Sequence, residues 1–418
     1  MTASSAGGAA SVRRFFVGAP RGATAALSQR ASLPAVGASV LREPYRVLFP
    51  LGVAIAWAGV LPWLLFALAV TDDYRSIFHS MAQVQGFLAC FASGFLLTMI
   101  PRRTASGPLR PWQLAVAVAA PIGLAAFAFL ERWALAQLFW VALLALLIGF
   151  AARRFPRATT PAPASFVWVP FALLAGLAGA VLAGVGAAKG DDWFWLHDVG
   201  RGLVLQGVFG SLVAGVGGAL LPHLTRGEGQ PLQASGGVAE RALHAFAAVV
   251  FLGSFFVEVL IDVRLGYALR ALCAGGALVI EARLWRRPSL PGAQRWLAWF
   301  AGWALPIGFA LSAALPERRQ IGMHVVFLGS FGLLVFAVGT HVALAHAGQS
   351  LASRPRPLAL LGLFVVAAVA ARALLVVDIA HYRLWLGIAS ASFLAATLCW
   401  ASVAGAALRG PAAGSEQT

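Results

Sequence analysis

Residues 76–101 read SIFHSMAQVQGFLACFASGFLLTMIP and contain no charged side chain. A helix needs about 20 apolar residues to cross the hydrocarbon core of a bilayer, so this stretch is long enough to span a membrane. Arg102 and Arg103 follow it at once, a pattern typical of the cytoplasmic end of a span. In lipid a helix satisfies its own backbone polar groups, whereas an isolated strand does not. Residues 76–101 therefore predict a transmembrane helix.

Similar stretches recur along the chain and are separated by polar or basic residues. Eight more carry no charge, at residues 47–71, 111–130, 133–152, 158–188, 202–225, 296–316, 320–353 and 384–408. Three are weaker: 242–257 is short, 265–280 contains Arg270, and 357–377 contains Arg372. The alternation of apolar and polar residues that is typical of a membrane β-barrel is absent. The sequence therefore predicts an all-α integral membrane protein with about twelve transmembrane helices in a single bundle, residues 45–409.

The composition excludes an ordinary soluble protein. Of the 418 residues, 60% are apolar and 11% are charged, whereas about a quarter of the residues of a soluble domain are charged. The formal net charge of +16 does not indicate nucleic-acid binding, because the basic residues lie in short clusters between apolar stretches. Cys90, Cys273 and Cys399 form no CxxC pair, so neither a disulfide framework nor a thiolate zinc site is predicted.

Basic residues concentrate on alternate loops. Residues 102–110, 153–157 and 283–295 are rich in arginine, whereas the intervening loops carry acidic residues such as Asp72 and Glu131. Cytoplasmic loops are the ones rich in arginine and lysine, so both termini are predicted to be cytoplasmic. Residues 1–44, rich in Ala, Gly and Ser, predict a disordered cytoplasmic tail, and residues 410–418 predict a short cytoplasmic tail.

The second, sixth and tenth predicted helices resemble one another. Each begins at the predicted outer end with a histidine, namely His79, His197 or His324. Each ends near a small-residue segment that contains threonine: GFLLT, GGALLPHLT or VGTH. The histidines are separated by about four helices each time, which predicts three repeats of four helices. Functional sites in such bundles commonly lie between the repeats.

A second set of histidines lies toward the predicted inner end: His223, His341, His346 and His244. His324 and His346 are about 33 Å apart along one helix, so the two sets cannot hold the same metal. Neutral imidazole binds haem iron and copper, and a polar residue within a span is a functional candidate. The alternative is that these histidines lie in the headgroup zone. Arg201, one turn from His197, is suited to pair with a carboxylate or a haem propionate.

These segments resemble the NnrS family, whose second-helix motif is WHxHEMxFGF…GFLLTAVPNWTG. His79 stands at the first motif histidine and Met81 replaces the second, while Gly86, Phe87, Gly94, Phe95, Leu96, Leu97, Thr98, Pro101, Thr104 and Gly107 match. The sixth-helix pattern GGRxxPxFTR matches at Gly217, Gly218, Pro222, Thr225 and Arg226. The tenth-helix pattern matches at His324, Gly329, Gly332, Thr340, Leu344, His346 and Gly348, and His341 stands where the family has arginine.

The resemblance implies a haem- and copper-containing bacterial membrane protein linked to nitric oxide stress. We therefore predict a haem-binding inner-membrane protein, with copper as a second metal, that acts in the nitric oxide response or in detoxification. Its expected partners are the lipid bilayer, a small gas such as nitric oxide, and an electron donor that the sequence does not identify. His79 and His324 are the predicted axial ligands, and His197 the ligand of a second haem or a copper. The candidate metal ligands are His79, His197, His324, His223, His341 and His346, and Arg201 is a further cofactor contact.

Other functions stay open at this point. The large subunit of haem–copper oxidases and nitric oxide reductases also has twelve helices in three arcs, which would make this chain a nitric oxide oxidoreductase. Its HxH and HH ligand patterns, however, are missing from the tenth and seventh helices. A twelve-helix transporter of a small anionic or metal-related solute is an alternative, because carriers also contain internal repeats. A metal or haem delivery factor is another, since histidines can pass a metal onward.

Overall fold

The structure is a computed structural model that describes residues 35–158, 162–228, 237–352 and 355–409. These residues contain no strand, and twelve of their helices are long and apolar enough to cross a membrane. The helices are α1 Tyr45–Ala67, α2 Ser76–Arg103, α3 Pro111–Phe129, α4 Trp133–Arg157, α5 Ala164–Lys189, α6 Asp191–Arg226, α7 Val238–Leu260, α8 Val263–Ala282, α9 Ala293–Ala314, α10 Gln320–His346, α11 Pro355–Val377 and α12 Ile379–Arg409. The prediction of an all-α, twelve-helix membrane protein is confirmed.

Helices α2 and α6 are the most buried of the twelve. Helix α1 packs against α2, α5 against α6, and α9 against α10. In the last two pairs the backbones touch at glycines: Gly179 lies against Gly200, and Gly308 against Gly322. Small residues let transmembrane helices approach this closely. Each histidine-bearing helix therefore packs on the helix that precedes it, which is the arrangement that three four-helix repeats require.

The same three helices share two local features. A π-helical turn follows the histidine in each, at Ala82–Leu88, Leu203–Gly207 and Val325–Gly332. At the opposite end, Thr98, Thr225 and Thr340 each donate a side-chain hydrogen bond to the carbonyl four residues earlier. π-turns inside α-helices occur frequently at functional sites. Two more π-turns lie at Val213–Gly217 on α6 and Ala271–Gly275 on α8, so the feature that α2, α6 and α10 share is a π-turn beside a histidine.

Part of the predicted N-terminal tail lies within the described residues. Ala35–Arg42 is helical, and the carbonyl of Leu41 accepts a hydrogen bond from the Leu109 N–H at 3.2 Å. Glu43 is buried and pairs with Arg46. These contacts join residues 35–44, the last part of the predicted tail, to the bundle. Residues 1–34 and 410–418, the remainder of the two predicted tails, lie outside the described residues.

Candidate functional site: a histidine- and arginine-lined cavity

A cavity of about 590 Å³ opens at the histidine end of the bundle. It lies between α2, α6 and α10, and α1, α7, α8, α11 and α12 complete its wall. This volume falls within the range of small-molecule and cofactor pockets, about 300–1,000 Å³. The polar side chains of the wall include Gln83, Gln206, His79, His324, Arg201 and Arg372. The helices that carry the predicted outer histidines thus enclose one common space.

His79 is held in a single orientation. Its Nδ1 lies 3.0 Å from the carbonyl oxygen of Gly59 on α1. Its ring stacks on Trp63, with a centroid distance of 3.5 Å and an interplanar angle of 15°. A carbonyl only accepts hydrogen bonds, so Nδ1 carries the proton and Nε2 keeps a lone pair. A backbone carbonyl on one ring nitrogen is the usual support of a histidine that binds metal through the other.

His324 has the same tautomer but a different partner. Its Nδ1 lies 2.7 Å from the carbonyl oxygen of Gln320, and its Nε2 accepts a hydrogen bond from Arg372 Nε at 2.9 Å. An arginine only donates, which fixes the lone pair on Nε2. The nitrogen that would ligate a metal is therefore already hydrogen-bonded. His79 and His324 line one cavity, but only His79 is ready to act as a ligand without a rearrangement.

Arg372 is a buried cation in the wall of this cavity. It is 8% exposed, and its guanidinium lies 5.0 Å from the centre of the Trp63 ring. The Tyr74 ring also stacks on Trp63, with ring centroids 5.1 Å apart. None of the ion pairs among the described residues involves Arg372. The sequence placed this arginine in a span but did not indicate its neighbours.

The opposite wall contains a second buried arginine. Arg270 is fully buried; it donates to Gln206 Oε1 at 3.0 Å and pairs with Glu258. Its guanidinium also lies 3.8 Å from the centre of the Phe255 ring. Gln206 and Glu258 both line the cavity, so this cluster fixes the wall formed by α6 and α7. This cluster was not predicted from the sequence. Arg270 within a predicted span, twelve residues after Glu258, was a usable signal.

His197 lies away from the cavity. Its Nδ1 is 3.1 Å from the carbonyl oxygen of Ala183 on α5, and its ring stacks on Phe194. Asp198 and Arg201 line the cavity, whereas His197 does not. Successive residues of a helix point about 100° apart, so the face that carries Asp198 and Arg201 turns His197 toward α5. His197 therefore does not share the cavity that His79 and His324 line, and its role as the ligand of a second haem or a copper stays a prediction.

Comparison with known protein families identifies the family of this chain. The NnrS family model matches residues 39–411, a range that contains all twelve helices. The chain belongs to the NnrS family. No curated protein matches it. It is therefore a multi-pass membrane protein of a family linked to nitric oxide stress.

The NnrS-motif histidine at the predicted inner end serves a different purpose from His79. His346 Nε2 lies 2.7 Å from Arg102 Nη1, and its Nδ1 lies 3.2 Å from Glu43 Oε1. Glu43 also pairs with Arg46 at 2.6 Å. Both imidazole nitrogens of His346 thus belong to an ion-pair network that ties the segment before α1 to α2 and α10. A metal-ligating role for His346 would require this network to break.

The predicted metal ligands at the inner end, His223, His341 and His346, belong to no group of three ligands among the described residues. Among the described residues, the group of three side chains that could hold a metal is Glu240, His244 and Glu281, and it includes none of His223, His341 and His346. Within that group, Trp168 Nε1 donates to His244 Nδ1 at 3.2 Å. The proton of the neutral ring is therefore on Nε2, 3.3 Å from Glu281 Oε1. Metal binding through Nε2 would have to displace this proton, and without a metal the group is a hydrogen-bonded contact between helices.

Two further side chains lie outside the cavity lining. Met81, at the second NnrS-motif histidine position, is buried but does not line the cavity. His381 is exposed, and its Nδ1 lies 2.9 Å from Asp378 Oδ2. Hydrogen bonds from Trp385 and then His381 lower the pKa of Asp378. Neither Met81 nor His381 is positioned to complete a ligand set with His79.

A second, smaller pocket lies deeper between the same three helices. Its volume is about 100 Å³, and Phe, Leu, Val, Ala and Gly side chains alone line it. Phe91 belongs to this pocket and packs edge-on against Phe87 of the large cavity, with ring centroids 5.3 Å apart. Enclosed apolar cavities bind small apolar guests, and the lining of this pocket offers the same kind of surface.

Proposed function

We propose that the large cavity binds haem and that His79 Nε2 is its iron ligand, in a protein that responds to or removes nitric oxide at a bacterial inner membrane. The observation that carries the proposal is the geometry of His79. Its ring is fixed by the Gly59 carbonyl and by the stack on Trp63, and it lines a cavity of cofactor size. Family membership supports the link to nitric oxide stress.

The side chains around His79 suit a haem. Trp63, Phe87, Phe327 and Phe393 supply apolar and aromatic surface to the same cavity, and a macrocycle needs such surface to leave water. Arg201, which also lines the cavity, offers a cation to an acidic substituent of the cofactor. A bound haem would supply the iron that takes up the gas. The protein's own contribution is to fix the imidazole, shield it from water and leave one face accessible.

His324 is the second candidate ligand. Its Nε2 accepts from Arg372 Nε at 2.9 Å, so two-imidazole ligation needs Arg372 to release it. With Arg372 in place, His79 would be the single protein ligand of a bound haem, and the iron would keep the capacity to bind a gas. The small apolar pocket one helical turn deeper supports the supply of such a gas. Copper has less support, because the described residues contain no group of three histidine, cysteine or carboxylate ligands in the cavity.

The test is an absorption spectrum of detergent-purified protein prepared with excess haem. The wild-type protein is expected to show a Soret band that shifts on addition of nitric oxide. His79→Ala should lose or shift the band, whereas His381→Ala, an exposed histidine at the same end, should leave it unchanged. Absence of the band in haem-supplied wild type, or an unchanged band in His79→Ala, would contradict the proposal.

A carrier for a small anion is the second candidate. The observation that favours it is a cavity whose wall contains the buried Arg372 and the exposed Arg201. Uptake of labelled nitrite or acetate into proteoliposomes separates the two functions. A carrier predicts uptake without bound haem, and the haem proposal predicts none above that of protein-free vesicles.

A further inference from the structure

The cavity contains a positive charge with an unused donor. Arg372 is more than nine-tenths buried, and its Nη1 has no hydrogen-bond partner. Its Nε donates to His324 Nε2, and its guanidinium lies over Trp63. A charged side chain within a span is costly unless it is paired. The neutral His324 imidazole, the Trp63 ring and the Tyr74 hydroxyl offset only part of that cost, because none of them carries a negative charge.

The acidic residues of the cavity do not supply that charge. Asp198 and Glu258 are the acids in its lining, and neither forms an ion pair with Arg372. Glu258 is committed to Arg270, with Arg319 at 3.9 Å as its second partner. Arg201, a further cation of the lining, belongs to none of the ion pairs among the described residues. The cations that line the cavity therefore outnumber the carboxylates that line it.

We propose that Arg372 binds a carboxylate-class anion in the cavity, with Nη1 as the donor that the protein leaves for it. A guanidinium presents its N–H groups in a planar fork that matches two oxygens of a planar oxyanion. The Arg372 Nε–H keeps its hydrogen bond to His324 Nε2, so the anion and the imidazole would contact different edges of the guanidinium. The Tyr74 hydroxyl interacts with the same guanidinium as a neutral acceptor, because an arginine only donates.

Two sources share this chemistry. One is a free small oxyanion, such as a carboxylate or nitrite, and the other is a propionate of a bound haem. The second source rests on the proposed function, whereas the first does not. Binding of a free anion to protein without haem therefore tests Arg372 independently of His79.

The first experiment titrates sodium acetate and sodium nitrite into purified haem-free protein, at constant ionic strength set with sodium chloride, and follows thermal unfolding and calorimetric heat. We expect saturable binding by wild type that weakens at least about tenfold in Arg372→Gln, the loss expected for one charge-assisted contact. Arg372→Lys, which keeps the charge without the fork, should give an intermediate affinity. The matched control is Arg383→Gln, an arginine at the same end that pairs with Asp72 outside the cavity, and it should bind like wild type.

The second experiment compares haem with haem dimethyl ester, in which both carboxylates are blocked. If a propionate is the anion, wild type should bind haem at least about tenfold more tightly than the ester, and Arg372→Gln should abolish the difference. Failure of both haem forms to bind, with acetate or nitrite still bound through Arg372, would overturn the haem proposal alone. The anion site is overturned if Arg372→Gln changes neither the affinity for acetate and nitrite nor the ratio of the affinities for haem and its dimethyl ester. Gel filtration of Arg372→Lys checks that the variant is correctly folded.

Discussion

Glu43 is a buried carboxylate beside three nitrogen-bearing side chains. Burial acts to raise its pKa, but hydrogen bonds from His346 and Arg46 and the nearby charges outweigh burial, and its pKa falls from 4.5 to about 2. Arg102 completes the group at 3.2 Å from Glu43 Oε1. A carboxylate whose pKa is lower in the folded state stabilises the fold above its unfolded pKa and loses this effect as the pH falls toward its folded pKa. The relevant window is therefore pH 4.5 down to about 2.

Glu43→Gln should remove most of this acid sensitivity. In wild type, the free energy of unfolding is expected to drop by roughly 3 kcal/mol more than in Glu43→Gln between pH 5 and pH 2. Above pH 5 the variant should be the less stable of the two, because the amide cannot replace the charge. Chemical unfolding in detergent micelles at stepped pH measures both. Glu131→Gln, at an exposed position, is the control, and equal pH profiles for wild type and Glu43→Gln would exclude this role.

Individual site residues were predictable only in part. His79 and His324 were expected in one site and do line one cavity. His197 lies at the same end of its helix, yet it faces α5. Sequence spacing gives the depth of a side chain in the membrane, whereas a π-turn and a close glycine contact decide the direction in which it points. The Arg372–His324 hydrogen bond joins residues 48 positions apart and has no local signal.

At the scale of elements, α5 and α6 meet without intervening side chains. A methyl group on Gly200 would clash with the backbone nitrogen of Ala183 and the carbonyl oxygen of Gly179. Gly200→Ala should therefore separate the helices and lower the free energy of unfolding by about 1–3 kcal/mol, the usual effect of overpacking. Gly184→Ala on α5, where a methyl group meets nothing within 4 Å, is the matched control. Thermal unfolding in detergent compares them, and equal losses for the two variants would argue against the close contact.

The helices themselves were predictable because hydrophobic length is a strong signal. All twelve predicted stretches correspond to helices. The largest difference is α6, predicted from residue 202 but starting at Asp191. A charge-free window excludes Asp198 and Arg201, although both lie in the helix and line the cavity. Searching for charge-free windows therefore finds the span but makes it too short where charged side chains face an interior cavity. The π-turns were not predicted, since their residues are as apolar as those of the adjoining α-helix.

At the scale of the whole molecule, the two pockets lie one above the other along the three equivalent helices. Helix α2 contributes Phe87 to the large cavity and Phe91, one turn later, to the small pocket; α6 contributes Leu205 and Phe209 in the same way. Phe87 of the large cavity packs edge-on against Phe91 of the small pocket, with ring centroids 5.3 Å apart. If the large cavity binds haem as proposed, the small pocket would offer an apolar gas a place beside it.

Filling the small pocket should therefore affect gas access without changing the cavity above it. Val338 lines this pocket, and Val338→Trp adds bulk that leaves no room for a guest. Xenon, an inert gas of comparable apolarity, is expected to bind wild-type protein and to bind Val338→Trp at least about tenfold more weakly, measured by xenon NMR. Leu398→Trp, at an exposed position on α12, should bind xenon like wild type. In haem-supplied protein the Val338→Trp Soret band should keep its position while nitric oxide binding slows; equal xenon binding in all three proteins would show that the pocket is not a gas site.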